Sequence, residues 1–251
     1  MQQNTTDFIA KMAWETTKTH WKDFMILPTA VGAMVCLLMC LVFLGGASPA
    51  KSFIAFLLYI AWIVFLVAFA GALAKWCSDL YNGAKKLDIQ EGLRYGLSRF
   101  WGTLGTSLLT AIKIVLWSLL LVIPGLYKAV MYSKSTRVSQ LEKISGGDAN
   151  RISQKMISSA GFMRTLGNYC AISLVSTLFF YLFALAAALV SGGFGLASET
   201  LGGIVFILAL VVGGMVLNIF ILVYGTYEYL IYRDENKAEL TALMKTLASM
   251  K

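Results

Sequence analysis

Four stretches of this chain, 24–46, 53–74, 166–195 and 201–227, contain no charged residue. A helix rises about 1.5 Å per residue and a bilayer's hydrocarbon core is about 30 Å thick, so about 20 apolar residues cross it. Each stretch meets that length. A fifth, 103–123, meets it with one charge inside, Lys113. A chain written this way is expected to be a polytopic membrane protein. Composition agrees, with 58% hydrophobic and 14% charged residues, against about 25% charged in soluble domains. No polar tract is long enough to bury a core of its own, so 1–251 reads as a single integral membrane domain. The first two dozen residues are mixed and polar, so the first span is expected to act as an uncleaved signal.

The net charge of +8 is distributed in a way that orients the chain. Lys11, Lys18 and Lys22 precede the first span. Lys75, Lys85, Lys86, Arg94 and Arg99 fill one long connection. Lys128, Lys134, Arg137, Lys143, Arg151, Lys155 and Arg164 fill the other, and Arg233, Lys237, Lys245 and Lys251 follow the last span. The two remaining connections, 45–52 and 191–200, hold only Lys51 and Glu199. Basic residues collect on the cytoplasmic side. Both termini and both long connections are therefore expected inside, and the two bare loops outside. A basic surface beside spans points to anionic lipid headgroups rather than to nucleic acid.

That orientation constrains the middle. The chain must leave at about Thr103 and return before basic residues resume at Lys134. Pro124 and Gly125 are the expected break, because proline cannot continue a helix and glycine permits a reversal. The returning stretch, 126–141, is short and polar. It reads as a short fourth span with Lys134 and Arg137 snorkelling, or as a re-entrant or interfacial segment. The fold expected is an all-α bundle of about six transmembrane helices: 24–46, 53–74, 103–123, the short 126–141, 166–190 and 201–227.

Amphipathic helices are expected at about 5–22, 85–101, 148–162 and 237–250. In the last, Leu240, Leu243, Met244, Leu247 and Met250 share one face. Such helices lie at the membrane interface. The first three precede spans in a recurring order of interfacial helix, span, span. The second and third copies share Thr-Leu-Gly, at Thr103-Leu104-Gly105 and Thr165-Leu166-Gly167. Parallel internal repeats recur in membrane folds.

The run Leu116-Trp117-Ser118-Leu119-Leu120-Leu121-Val122-Ile123-Pro124-Gly125-Leu126-Tyr127-Lys128-Ala129-Val130-Met131-Tyr132-Ser133, followed by Ala149-Asn150-Arg151-Ile152-Ser153, resembles an uncharacterised group of bacterial integral membrane proteins. That group is similar to YciC-type proteins and to the membrane domain attached to some glycerophosphodiester phosphodiesterases. The resemblance covers 116–167; elsewhere only the hydropathy profile is similar. It implies a six-span protein of the bacterial inner membrane and no assigned activity. The phosphodiesterase activity belongs to a separate soluble domain that this sequence lacks.

No residue constellation announces catalysis. The single histidine, His20, sits beside Trp21 in a basic segment and reads as an interfacial polar residue. One histidine without a carboxylate cluster supports neither a triad nor a metal site, so no enzyme, metal or cofactor is expected. Cys36, Cys40, Cys77 and Cys170 form no Cys-x-x-Cys and read as small apolar fillers. Small residues crowd 68–74 and 184–188, and Gly213-Gly214 follows, which suits close helix packing. A homo-oligomer or membrane-protein partner is open.

Lys113 and Asn218, each midway along an apolar run, form the candidate intramembrane polar site. Lys85, Lys86, Arg94, Arg99, Lys134, Arg137, Arg151 and Lys155 are the candidate anionic-lipid contacts. The expected role is lipid-interacting or envelope-organising. The alternative is a small-solute or ion transporter, or a permease-like accessory subunit.

Overall fold

Apolar length and amphipathic spacing both resolve into helix. The computed structural model describes residues 5–43, 48–84, 86–195 and 199–249. Lys85 and the tips of both expected outer loops lie outside the described residues. The described elements are all helical: α1 (Thr5–Thr19), α2 (Trp21–Phe43), α3 (Pro49–Tyr81), α4 (Ile89–Ser98), α5 (Phe100–Leu120), α6 (Val122–Met131), α7 (Ser135–Leu141), α8 (Gly147–Ala160), α9 (Phe162–Gly195), α10 (Glu199–Glu235) and α11 (Lys237–Ser249). Among the described residues, four stretches are long and apolar enough to cross a membrane: Pro49–Tyr81, Phe100–Leu120, Phe162–Gly192 and Gly213–Glu235. α2 covers 24–43 of the first charge-free run; the rest of that run lies outside the described residues. The chain is an all-helical integral membrane protein.

Three helices outrun the bilayer. α3 has 33 residues, α9 has 34 and α10 has 37, or about 50 Å each at 1.5 Å per residue. Their two ends differ. On α3, Phe53, Phe56, Tyr59 and Leu66 are exposed, whereas Phe69, Leu73, Trp76 and Cys77 are buried. On α9, Thr165 and Asn168 are buried, whereas Leu174, Leu178, Leu182 and Leu189 are exposed. α10 buries Val223, Tyr227 and Leu230 toward its C-terminal end. Helices pack on one another at that end and offer bare hydrocarbon at the other. In water so broad an apolar belt drives association; in lipid it is the outer surface.

The packed end is where the amphipathic helices gather. Phe24 stacks on Trp76 at 6.2 Å, and Phe69 meets the same indole edge-on at 6.0 Å, geometries that add about 0.5–1.5 kcal/mol per pair. The Trp76 indole N–H donates to the Asp88 carbonyl at 2.9 Å, tying α3 to the residue that caps α4. α4 crosses α3 so closely that a Cβ at Gly96 would lie 2.0 Å from the Ala68 carbonyl oxygen.

The internal repeat has a structural counterpart. A single residue joins each amphipathic helix to the long helix after it: His20 between α1 and α2, Arg99 between α4 and α5, and Gly161 between α8 and α9. Thr103 and Thr165 are each the fourth residue of a helix that begins with phenylalanine, and both are buried. The copies differ in their third element. α3 and α10 are long, but α6 has only 10 residues.

That shortness corrects two expectations about the middle. Residues 126–141 do not form one helix. α6 ends at Met131, a turn follows, and α7 adds seven residues. Neither piece reaches bilayer length. The break also falls earlier than Pro124-Gly125. α5 ends at Leu120, and Leu121 is extended at φ −159° and ψ 141°. Four residues separate Pro124 from Leu120, so in a continuous helix its ring would clash with the Leu120 carbonyl. After the break Pro124 lies in the first turn of α6, where no N–H donor is needed. Gly125 serves closeness rather than reversal. A Cβ there would lie 2.1 Å from Ser118 Oγ, so glycine lets α6 fold back onto α5.

Candidate functional site

At the packed end, side chains from six helices build a buried polar layer. Its centre is Glu228 on α10, within the Tyr-rich run that ends the last apolar stretch. The Lys134 ammonium, in the turn before α7, donates to Glu228 Oε2, and both side chains are only 5% exposed. Asn168 on α9 donates from Nδ2 to Glu228 Oε1 at 3.1 Å and to the Tyr232 hydroxyl at 3.1 Å. Thr6 on α1 donates to Asn168 Oδ1. One carboxylate thus holds α1, α7, α9 and α10 in register.

Arg137 on α7 is the second buried cation. It donates to Gln140 Oε1 at 2.7 Å and to the Leu222 carbonyl at 2.9 Å. Among the described residues no carboxylate pairs with it. Burial pushes its guanidinium down from the ordinary arginine value to about 10, so it remains a cation at neutral pH.

α5 presents Thr103, Thr106, Ser107 and Thr110 at helical spacing to this layer. Thr106 Oγ1 accepts the Gly146 N–H at 2.8 Å and donates to the Gly102 carbonyl at 2.7 Å. Thr110 donates to Asn150 Oδ1 at 2.8 Å. The Thr103 hydroxyl is buried without a hydrogen-bond partner. It faces a cavity of about 580 Å³, walled by Trp62, Leu66 and Ile219 and edged by Ser107, Gln140 and Asn218.

The expected intramembrane pair is not brought together. Asn218 lines that cavity, whereas the Lys113 ammonium lies over the Tyr132 ring at 5.8 Å. Lys128 comes to the same ring at 5.7 Å and to Trp117 at 5.5 Å. Lys113 therefore turns toward the base of the α5–α6 hairpin.

The expected lipid contacts also divide. Lys86 and Arg94 are exposed, and Arg151 and Lys155 are exposed beside Asp148 and Glu239, at 3.9 Å and 2.5 Å. Arg99 is half-buried and donates to the Ser139 carbonyl at 2.8 Å. Lys134 and Arg137 are buried, so neither belongs to a lipid-facing set. Their partners, Glu228 and Leu222, lie far along the chain, and local charge patterning carries no sign of them. The stripe on α5 was open to a sequence reading, because four hydroxyls on one face of an apolar helix mark a packed or polar-lined side.

Among the described residues no group of three His, Cys, Asp or Glu side chains is placed to hold a metal. His20 Nδ1 lies 3.4 Å from Asp23 Oδ2. Cys77 is buried and Cys170 exposed, on different helices. Comparison with protein-family models, curated proteins and solved structures finds no match to this chain.

Proposed function

We propose that this chain is a lipid-interacting protein of the bacterial inner membrane. In this reading α2, α3, α9 and α10 cross the bilayer, both termini are cytoplasmic, and α5–α6 is a hairpin dipping into the cytoplasmic leaflet. The observation that carries it is the form of that hairpin. Its tip, from Leu119 to Ile123, is bare hydrocarbon, with Ile123 81% exposed. Its base carries Lys113 and Lys128 over Trp117 and Tyr132. Apolar tip, aromatic collar and basic base match the order of acyl chains, interface and anionic headgroups.

Depth follows from a second contact. The Tyr127 ring lies 5.0 Å from that of Phe162, the first residue of α9. Two residues later Arg164 pairs with Glu235 at the end of α10, at 2.7 Å. The hairpin thus leans on the charged end of the bundle. From Tyr127 only six residues remain to Leu121, at most about 9 Å of helix. In this reading the tip reaches an interfacial depth of about 5–10 Å, although the 21 residues of α5 are by length and composition enough for a crossing. A hairpin that enters and leaves on one side keeps both long basic connections inside, as the Lys/Arg asymmetry requires.

A transporter or permease-like subunit would draw on the cavity at Asn218. Its walls are mostly apolar and Lys113 lies elsewhere, which favours the lipid reading.

The test places a fluorophore on Leu121→Cys in a background with the native cysteines replaced. Spin-labelled lipids should quench it at shallow depth, and an impermeant thiol reagent outside the cell should not reach Cys at that site. Labelling from outside would make α5 a full span and remove the hairpin reading.

A further inference from the structure

We infer that the cavity among α2, α3, α5, α7 and α10 binds a single acyl chain ending in an anionic head, a carboxylate or a phosphate. This deepens the lipid-interacting reading by naming a lipid class and a place for it, and it uses residues away from the tip and the basic base of the hairpin.

Size and walls come first. The cavity holds about 580 Å³, within the range of about 300–1,000 Å³ that suits small-molecule sites. Trp62 and Leu66 from α3, Leu104 from α5, and Met215 and Ile219 from α10 line it. These side chains offer an alkyl chain contact and offer a polar solute nothing.

The polar edge is one-sided in chemistry. Thr103 lines the cavity, is only 4% exposed as a residue, and carries a buried hydroxyl with no hydrogen-bond partner. A buried hydroxyl left unmatched has lost its hydrogen bonds to water, so a ligand acceptor there restores what folding forfeited. Gln140 lines the same cavity, and its amide oxygen is occupied by Arg137, which leaves the amide N–H groups as its remaining hydrogen-bonding capacity. Arg137 stands directly behind this wall. Its two bonds go to Gln140 and to the Leu222 carbonyl, both of them residues of the cavity lining. Thr103 and Gln140 lie on this edge, and Arg137, a buried cation that no carboxylate among the described residues pairs with, stands one hydrogen bond behind Gln140. Buried charges in proteins are paired or ligated. An anion is the species this edge lacks, and the apolar walls require that the anion bring a chain.

The volume suits one chain rather than a two-chain phospholipid filling it whole. Both a free fatty acid and a single-chain phospholipid satisfy the edge, because a planar guanidinium and neutral donors accept carboxylate and phosphate oxygens alike.

The test uses the full chain in nanodiscs of phosphatidylcholine, titrated with palmitate, lysophosphatidate and the neutral monopalmitoylglycerol. At least one of the two anions should bind at least tenfold more tightly than the neutral lipid, about 1.4 kcal/mol. Binding of palmitate alone would name free fatty acid as the source, and of lysophosphatidate alone a phosphate head. Arg137→Gln should weaken the anion about tenfold, and Arg137→Lys should retain part of the affinity. Leu66→Trp, which fills the cavity and leaves Arg137 in place, should abolish binding, so the result does not depend on how well one Arg137 variant folds. Equal binding of the neutral lipid, or anion binding that survives Leu66→Trp in the folded protein, would overturn the inference. The fluorophore at position 121 is read on the same samples. A hairpin of the expected depth with no anion binding sinks this inference alone; a hairpin exposed outside sinks the function reading and leaves the cavity standing or falling on its own titration.

Discussion

Lys134 and Glu228 are 94 residues apart in sequence and meet as an ion pair that solvent scarcely touches. Taking two charges out of water is costly, and only mutual attraction and further hydrogen bonds offset it. Asn168 supplies such a bond to Glu228, and the Lys134 ammonium also lies over the Tyr232 ring at 5.8 Å. Removing one partner strands the other. Lys134→Met and Glu228→Gln should therefore each lower unfolding stability in detergent, the former by about 3–5 kcal/mol. The double variant Lys134→Met/Glu228→Leu should be less damaged than Lys134→Met alone. Thermal unfolding of the variants reads this directly; an undiminished midpoint in Lys134→Met would mean that the pair holds nothing together.

The α3–α4 crossing is a second point of leverage. A side chain at Gly96 meets backbone and not a yielding side chain, with Ala68 O at 2.0 Å and Ala72 N at 2.8 Å. Gly96→Val should separate the two helices and loosen the Trp76 indole from Asp88. Gly105→Ala is the matched control, because a Cβ there meets nothing within 4 Å. It should be neutral or gain up to about 1 kcal/mol of helix propensity. Thermal melts and near-ultraviolet circular dichroism of the two variants should diverge; equal behaviour would show that the crossing tolerates a wider gap.

These residues also mark what the sequence could disclose. α2, α3, α9 and α10 form over the four charge-free runs because a chain without charges has no local alternative to helix in lipid. Thr103 and Thr165 show why the Thr-Leu-Gly repeat was legible: each opens the same turn of an equivalent helix. The stretch with the family-like run, 116–167, builds the hairpin tip, α6, α7 and α8. What was hidden is tertiary. Lys134 and Arg137 resemble any other cytoplasmic basic residue until α10 arrives with Glu228 and the Leu222 carbonyl. Lys113 and Asn218 shared a depth only if α5 ran the full thickness of the bilayer. In the proposed hairpin reading the Tyr127–Phe162 contact and the short α6 give α5 a different course, while by length and composition Phe100–Leu120 still suffices for a span.

The last helix is held by an exposed pair with a definite pH sense. Lys155 on α8 meets Glu239 on α11 at 2.5 Å, and Ser159 donates to the same carboxylate at 2.6 Å. The bond from Lys155 is the main cause, and that from Ser159 the next, that hold the Glu239 carboxyl below its ordinary value. A carboxyl depressed in the folded state contributes stability above its unfolded value and loses it as pH falls through the folded one. Docking of α11 should therefore weaken only in acid, below the ordinary carboxylate range, and be flat from there to neutrality. Amide exchange along α11 should quicken in that window, and Lys155→Gln should quicken it at neutral pH as well. Exchange that ignores both acid and Lys155→Gln would assign the docking to Leu240 and Leu247, which are buried.

Lys113 and Lys134 test what a lysine does in this protein by where it sits. Lys113 stands at the hairpin base over Tyr132, half-exposed, whereas Lys134 is enclosed with Glu228. A cation over an aromatic ring at a half-exposed site contributes about 0.5–1 kcal/mol, so Lys113→Gln should barely move the melting midpoint. Near anionic lipid the same charge is worth about 1 kcal/mol, so Lys113→Gln/Lys128→Gln should lower retained phosphatidylglycerol or cardiolipin severalfold. Lys134→Met should do the reverse, losing stability while the folded fraction keeps its lipid. Quantitative lipid mass spectrometry beside a thermal melt separates the two effects. If the Lys113/Lys128 variant keeps its anionic lipid, the base of the hairpin does not meet headgroups, and its cations serve only to hold Trp117 and Tyr132 in place.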